Sequence, residues 1–425
     1  MERDAKVRVT EAADNDQVRA RANELRARGA DVEIGGHDLD ALDADLAVLS
    51  PGIPPDSAIV AALKQSSVPV ISEIELAYQI AGCDFLAITG TNGKTTTTSL
   101  LAAMLEAAGR RSLAAGNIGL PLVDAVAQVG ESGVIAVEVS SFQLAFIENF
   151  RPKVAAILNI AEDHMDWHGN IDAYASAKAR ITINQTRDDT LVLNQDDPRA
   201  RVVAQDSAAQ IVTFSATGDA DACIDSGRLM WRGRTALGRD ELSLPGRAGT
   251  EDALAAMACA ASYGIEAAAI ATALRGFKPL HHRLETIAAG HGVTYIDDSK
   301  ATNPHATLSA VSELEDVVLI AGGRSKGIDL AALRGTVPPV IAVIAIGEAA
   351  DEVAAVFAGL VPVDMAHDMN AAVQAARARS VPGGSVLLSP GCASLDMYDG
   401  YAERGEHFAR AVRTILAKEG TDGDA

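Results

Sequence analysis

The strongest constraint on this chain is the segment Phe85–Thr96. An apolar run, Phe85-Leu86-Ala87-Ile88, leads into Thr89-Gly90-Thr91-Asn92-Gly93-Lys94-Thr95-Thr96. A helical pattern follows, with Leu100, Leu101, Met104, Leu105 and Ala108 on one face and Gly109 placed to end it. Buried strand, glycine turn, Lys-Thr and helix together form the context of a phosphate-binding loop. The glycines let backbone N–H groups face a polyphosphate, and the helix N-terminus adds partial positive charge. Lys94 reaches the terminal phosphates, and the Thr95 hydroxyl is placed to meet Mg²⁺. Only two residues, Thr91 and Asn92, separate the glycines, where the commonest loop has four. The segment specifies binding of ATP or a related nucleotide and leaves open what is done with it.

With 425 residues, the chain holds several domains, each large enough for its own core. Its formal charge of −21 makes nucleic acid and anionic membranes poor partners. Anionic ligands must therefore be held by loops, helix ends and single cations. Cys83, Cys223, Cys259 and Cys392 are far apart with no Cys-x-x-Cys spacing. That disfavours a zinc site or a disulfide framework and suits a reducing cytoplasm. No apolar run reaches membrane-spanning length.

The pattern predicts three α/β regions. Residues 1–72 alternate short strands (Val7–Val9, Val32–Ile34, Leu46–Leu49, Val68–Ile71) with helical stretches and read as an open sheet. Residues 73–279 carry the phosphate loop. There, the strand Val134–Val137 runs into Glu138-Val-Ser140-Ser141-Phe142-Gln143, and Val154–Leu158 runs into Asn159-Ile-Ala-Glu162-Asp163-His164. A helix is expected from Ile171 to Ile183, a hairpin between Asp219 and Leu244, and a helix from Glu251 to Tyr263. Residues 280–425 form a further, largely parallel sheet. Its strand ends carry Asp297-Asp298-Ser299-Lys300, Gly322-Gly323-Arg324-Ser325-Lys326 and Ser389-Pro390-Gly391-Cys392. The tail Gly420–Ala425 is expected to fray. Doubly wound sheets place ligands beyond the carboxyl ends of their strands, so three such regions imply a site at their junction.

Glu138 and His164, on strand ends beside the phosphate loop, are candidate Mg²⁺ ligands, although Mg²⁺ prefers oxygen to imidazole. From the residues alone, Lys178 is a lysine on a helix surface. Arg283, Lys300 and Lys326 are isolated cations able to clamp phosphate or carboxylate groups, and Asp298 can accept hydrogen bonds from a ribose.

In these motifs, taken in order, the chain resembles the Mur ligase family of peptidoglycan synthesis over nearly its whole length. The motifs are Gly90–Thr95, Glu138–Gln143, Asn159–Met165, His282-Arg283-Leu284-Glu285, Asp298–Asn303 and Leu388–Ser394. The Ser-Ser-Phe-Gln and Ser-Pro-Gly-Cys-Ala-Ser segments resemble the branch that adds D-glutamate. The resemblance implies a Rossmann-like N-terminal domain, a central ATPase-like domain and a Rossmann-like C-terminal domain. It also implies an amide ligase using ATP and Mg²⁺ that joins glutamate to UDP-MurNAc-L-alanine through an acyl phosphate, in a cytoplasmic monomer. By motif match, residues Gly90 to Thr96, Asp252, Arg283, Asp298 and Lys300 hold ATP. Thr95, Glu138, His164 and a carbamylated Lys178 hold metal. Asn117 meets the muramoyl substrate, and Thr302, Lys326, Ser394, Leu395 and Tyr401 form the glutamate pocket.

The chain departs from the family pattern in three places. By the resemblance, a first βα unit with a glycine-rich turn is expected ahead of Val7, and the N-terminal region reads as short of it. Ala248-Gly249 and Asp252 stand where the family carries His-Asn and Asn, and Ser325 precedes Lys326 where an Asp is usual. Two alternatives stay open: the same chemistry with L-glutamate, and a nucleotide- or UDP-sugar-binding protein with weak ligase activity.

Overall fold

The computed structural model describes residues 5–39, 43–203 and 205–422. The N-terminal region contains β1 (Arg8–Glu11), α1 (Asp16–Ala27), β2 (Asp31–Ile34), β3 (Ala47–Leu49), α2 (Ala58–Gln65), β4 (Val70–Ser72) and α3 (Glu73–Ile80). Helix α1 begins where Asn15 caps it, its side chain accepting from Val18 N. The four strands do not form the single open sheet expected of a Rossmann-like domain. They form two separate parallel pairs, β1–β2 and β3–β4. Each pair has its own small apolar cluster, around Ala22 and Val32 in one and Val60 and Leu63 in the other. Among the described residues, β1 bonds only to β2 and β3 only to β4, so both edges of each pair are without a further strand. Side chains that a full sheet would cover stay open, and Val48 on β3 is 43% exposed.

The central unit is a nine-stranded sheet. It is built from β5 (Asp84–Thr89), α4 (Lys94–Ala107), β6 (Ser112–Gly116), α5 (Leu122–Val129), β7 (Val134–Glu138), α6 (Ser141–Leu144) and β8 (Val154–Ile157). Next come α7 (Met165–His168), α8 (Ile171–Ala179), β9 (Thr190–Asn194), α9 (Pro198–Val203), β10 (Gln210–Ser215), β11 (Ala222–Asp225), β12 (Arg228–Trp231) and β13 (Arg234–Gly238). Helices α10 (Gly246–Ser262) and α11 (Ala267–Gly276) close the unit. The strand order is β13-β12-β11-β10-β9-β8-β5-β7-β6. Pairing is parallel except at β11–β12–β13, where the expected hairpin region is antiparallel.

Strand β5 shows why its sequence reads as a continuous apolar run. Leu86 and Ile88 face α4 and α10, while Phe85 and Ala87 face α3 and α5, and all four are buried. A parallel sheet covered on both faces has no polar side. Helix α10 starts at Gly246, earlier than the expected Glu251. Its extra turn is packed: a Cβ on Gly249 would lie 2.7 Å from Leu244 Cβ. Helix α8 ends at Ala179, and a 3₁₀ turn carries on through Arg180–Thr182.

The C-terminal unit contains β14 (Glu285–Gly290), β15 (Val293–Asp297), α12 (Pro304–Val311), β16 (Val317–Gly322), β17 (Val340–Ile346), α13 (Ala350–Phe357) and β18 (Val363–Ala366). It ends with α14 (Met369–Arg379), β19 (Ser385–Leu388) and α15 (Tyr401–Asp422). The order β14-β15-β19-β16-β17-β18 is parallel except for β14. Alternate residues of β16 divide between two cores: Leu319 and Ala321 in one, Val318 and Ile320 in the other. Helix α15 continues through Asp422, so residues 420–422 of the tail are helical, and residues 423–425 lie outside the described residues.

Candidate active site

The carboxyl ends of β5, β7 and β8 meet the strand ends of the C-terminal unit. Gly90 and Gly93 take φ +155° and +85°, conformations open to glycine without a Cβ penalty. A methyl on Gly93 would also overlap Asp252 Oδ1. Lys94 folds back over its own loop, donating to the carbonyls of Gly90 (3.0 Å) and Thr91 (2.8 Å). Desolvation lowers its pKa, opposed by the charges of Glu138 and Asp163. Thr95 follows in the first turn of α4, half-buried.

Lys178 is not on a helix surface. It is 1% exposed. Its Nζ donates to Gly90 O at 2.7 Å and lies 4.4 Å from the centre of the Tyr174 ring. Burial, then the nearby Lys94, bring its pKa well below the ordinary lysine value. That favours a neutral amine.

Glu138 ends β7 inside the protein. One carboxylate oxygen accepts from Asn117 Nδ2 at 3.1 Å, while Oε2 is buried with no hydrogen-bond partner. An orphaned buried carboxylate oxygen calls for a cation. His164 sits at φ +56° before α7, its ring edge-on to Phe142 at 4.7 Å. Burial lowers its pKa to about 4, so at neutral pH the imidazole can act as a ligand. These groups fit Mg²⁺, which would offset phosphate charge. Asn117, expected to meet the muramoyl substrate, here orients Glu138.

A cleft of about 120 Å³ opens between the phosphate loop and the C-terminal unit. Asn92, Gly93, Thr96, Asp252, Arg283, Asp298 and Lys300 line it. Burial raises the pKa of Asp252 to about 7, and Thr97 Oγ1 donates to it at 3.3 Å. Asp298 is likewise raised to about 7 by burial, although its oxygens accept from Ser389 Oγ (2.8 Å) and Leu284 N (3.3 Å). Burial and then Arg283 lower Lys300 to about 8; its Nζ lies 3.7 Å from the centre of the Tyr401 ring.

The glutamate-pocket candidates are less uniform. Ser394 is buried, Leu395 is 60% exposed, and Thr302 and Tyr401 are half-buried. Lys326 is paired with the buried Asp163. Asp163 was not among the candidate ligands. Burial would raise its pKa, but the effects led by Lys326, through its charge and its hydrogen bond, outweigh burial and lower it.

Asn303, Asn159 and His305 also had no assigned role, although Asn159 and Asn303 stood inside the strand-end motifs. The side-chain amides of Asn92 and Asn303 pair reciprocally at 3.2 and 3.0 Å, and Asn303 also donates to Asp163 Oδ2 at 3.3 Å. Asn92 Nδ2 lies 2.9 Å from His305 Nδ1, and Asn159 Oδ1 accepts from Asn92 N at 2.8 Å. The phosphate loop is thereby tied to the C-terminal unit.

Residues 88–260 match the Mur ligase middle domain, and residues 282–392 match the Mur ligase glutamate ligase domain. The chain is 43% identical to the UDP-N-acetylmuramoylalanine–D-glutamate ligase of Frankia casuarinae, over 98% of this chain and 90% of that one. It is 41% identical to the ligase of the same name from Salinibacter ruber, over 92% and 89%. Among solved structures, MurF from Acinetobacter baumannii superposes with TM-score 0.67 at 18% identity, covering 97% of this chain and 92% of that one. MurF from Thermotoga maritima, solved in complex with ADP, gives TM-score 0.65 at 15% identity, covering 99% and 97%. With two family domains matched and relatives above 40% identity over almost the full length, the chain belongs to the Mur ligase family.

Proposed function

We propose that this chain is an ATP-dependent ligase that joins D-glutamate to UDP-N-acetylmuramoyl-L-alanine in peptidoglycan precursor synthesis. One observation carries this reading. The phosphate loop, Arg283 and Lys300 line one cleft, and the unpartnered buried oxygen of Glu138 belongs to a carboxylate whose charge acts on Lys94 and Lys300, in a chain 43% identical to a ligase of that name.

The reaction has two steps. The substrate carboxylate attacks the γ-phosphorus of ATP, and the bond to ADP breaks. The glutamate amine then attacks the acyl carbon, phosphate leaves, and the amine loses a proton. Such chemistry depends on charge neutralisation. Lys94 and the loop N–H groups bind the phosphates, and Arg283 and Lys300 face the nucleotide. Asp252 and Asp298 lie in the same cleft, where Asp298 is placed for the ribose. Thr95, Glu138 and His164 hold Mg²⁺. Lys178, favoured as a neutral amine, would take up CO₂ with loss of a proton, which turns the amine into an oxygen-donor anion able to orient Mg²⁺. Thr302, Lys326, Ser394, Leu395 and Tyr401 receive glutamate, with Lys326 exchanging Asp163 for the incoming carboxylate. Asn117 faces the muramoyl substrate from beside Glu138.

The N-terminal region, residues 1–72, binds the UDP end; residues 73–279 bind ATP, and residues 280–425 bind glutamate and close over the nucleotide. A monomer is the expected form. A cytoplasmic location fits the free Cys83, Cys223, Cys259 and Cys392, which suit a reducing compartment. Among the described residues, no helix is long and apolar enough to cross a membrane.

The test is phosphate release from ATP with UDP-N-acetylmuramoyl-L-alanine, Mg²⁺ and bicarbonate, in three arms: D-glutamate, L-glutamate and neither. Turnover only with D-glutamate is expected. Turnover only with L-glutamate revises the pocket, and ATP binding without turnover in any arm overturns the ligase reading.

A further inference from the structure

Arg283 reaches the nucleotide cleft from a tight turn. Its two neighbours, His282 and Leu284, have φ of +63° and +45°. Residues with side chains hold this conformation only when their surroundings over-determine it. Here the backbone is tied at three points. His282 N donates to Glu285 Oε2 at 2.9 Å, Lys300 N donates to His282 O at 3.2 Å, and Leu284 N donates to Asp298 Oδ1 at 3.3 Å. The His282 ring is held separately, with Nδ1 2.7 Å from Oδ2 of Asp297. Asp297 is fully buried at the end of β15, and its other oxygen accepts from Ser299 N at 2.8 Å.

Helix α15 stands behind this pair. Gly405 lies inside the helix and turns a bare Cα toward the His282–Asp297 bond. A Cβ there would come within 2.5 Å of Asp297 Oδ2 and 2.9 Å of His282 Cε1, and closer still to Nδ1. Glycine within a helix is less stable than alanine, so its presence here answers a demand for space. The helix cannot back away. The adjacent Arg404 is buried and donates to Ser299 Oγ (3.0 Å), Ser299 O (2.8 Å) and Cys392 O (3.1 Å).

We infer that Gly405 is a positioning residue for nucleotide binding. Its bare Cα admits the His282–Asp297 pair, the pair holds the turn, and the turn aims Arg283 into the cleft. The inference rests on the reading of this cleft as the ATP site.

The experiment is calorimetric binding of a non-hydrolysable ATP analogue with Mg²⁺ and, separately, of UDP-N-acetylmuramoyl-L-alanine. The proteins are the wild type, Gly405→Ala, His282→Ala and the double variant. Gly405→Ala should weaken nucleotide binding about tenfold, the scale of one charge-assisted contact, and leave binding of the muramoyl substrate unchanged. The double variant should lose less than the sum of the two single losses, because removing the ring relieves the shortest of the contacts a methyl would make and leaves the one to Asp297. Three outcomes overturn the inference: wild-type nucleotide affinity in Gly405→Ala, equal loss of both ligands, or additive losses in the double variant. A wild type that binds no nucleotide instead overturns the reading of the cleft itself.

Discussion

Lys94 and Lys178 donate to the same acceptor, the carbonyl oxygen of Gly90, at 3.0 and 2.7 Å. Two full ammonium charges on one carbonyl repel each other strongly where water is excluded. Burial and Lys94 resolve this by lowering the pKa of Lys178.

A neutral amine next to the phosphate loop is the form that reacts with CO₂. Replacing Lys178 by Ala is therefore expected to slow glutamate-dependent phosphate release by roughly 10²-fold or more, as removal of one electrostatic group from a catalytic site does. Added formate or acetate should restore part of the rate by filling the space with an oxygen anion. Undiminished turnover in Lys178→Ala would remove its role.

Asp252 gives a pH dependence. It adjoins Gly93 of the phosphate loop and faces Arg283. Its pKa is pushed up to about 7, first by burial and then by Glu251. Below that value the group is neutral; above it, a carboxylate confronts the phosphates. The KM for ATP should rise by several-fold between about pH 6 and pH 8, and Asp252→Asn should flatten the rise. The same slope in both proteins would place the titration elsewhere.

Asn303 serves two structures at once. Its Oδ1 caps α12 by accepting from Ala306 N at 3.0 Å, while its Nδ2 donates to Asn92 and Asp163. Asn303→Asp keeps a good cap but sets a second carboxylate against Asp163. The C-terminal unit should swing away from the phosphate loop, seen as a larger radius of gyration in solution scattering. A drop of roughly tenfold in kcat/KM should accompany it, as for a like-charge juxtaposition. Unchanged scattering together with unchanged kinetics would show that the amide pair does not hold the two units.

Glu75 tests stability rather than chemistry. It is buried on α3 and accepts from the backbone N–H groups of Glu148, Asn149 and Phe150 at 2.8–3.0 Å. Burial alone would raise its pKa, but Gln79 and these N–H groups outweigh burial and lower it below 4.5. A depressed carboxylate pKa adds stability above the unfolded value that is lost as pH falls through the folded one. Glu75→Gln should cost about 2 kcal/mol near neutral pH, the scale of hydrogen bonds to a charged group. In thermal melts, the gap from wild type should narrow below about pH 4.5. A constant gap across pH would mean that the charge contributes nothing.

Much of the central site is legible in the residue order because its causes are local. An apolar run with both faces covered, glycines at positive φ and a helix opening on Lys-Thr act within a dozen residues, so Phe85–Thr96 identifies itself. Glu138 and Asp298 are legible for the same reason: Glu138 closes β7 and Asp298 follows the end of β15, and α/β sheets hold ligands at that end. The two strand pairs of the N-terminal region were not legible, because a strand's own sequence does not say which neighbour it bonds to. Strands β6, β14 and β18 do not stand out in the sequence, being only partly buried and so without a continuous apolar run, and neither does helix α15.

The sequence by itself determined the α/β class, the phosphate loop, the strand-end acids and the family, since each rests on contacts among near neighbours or on motifs in order. Only the tertiary structure decided which groups meet. Asn92 and Asn303 pair across 211 residues, Lys326 meets Asp163 across 163, and Gly405 makes room for His282 and Asp297 from another element. Lys178 reads as a surface lysine until the fold buries it over Tyr174. Such meetings are set by how the sheets and helices pack, and burial, which moves the ionisation of Lys178, His164 and Asp252, exists only once they have packed.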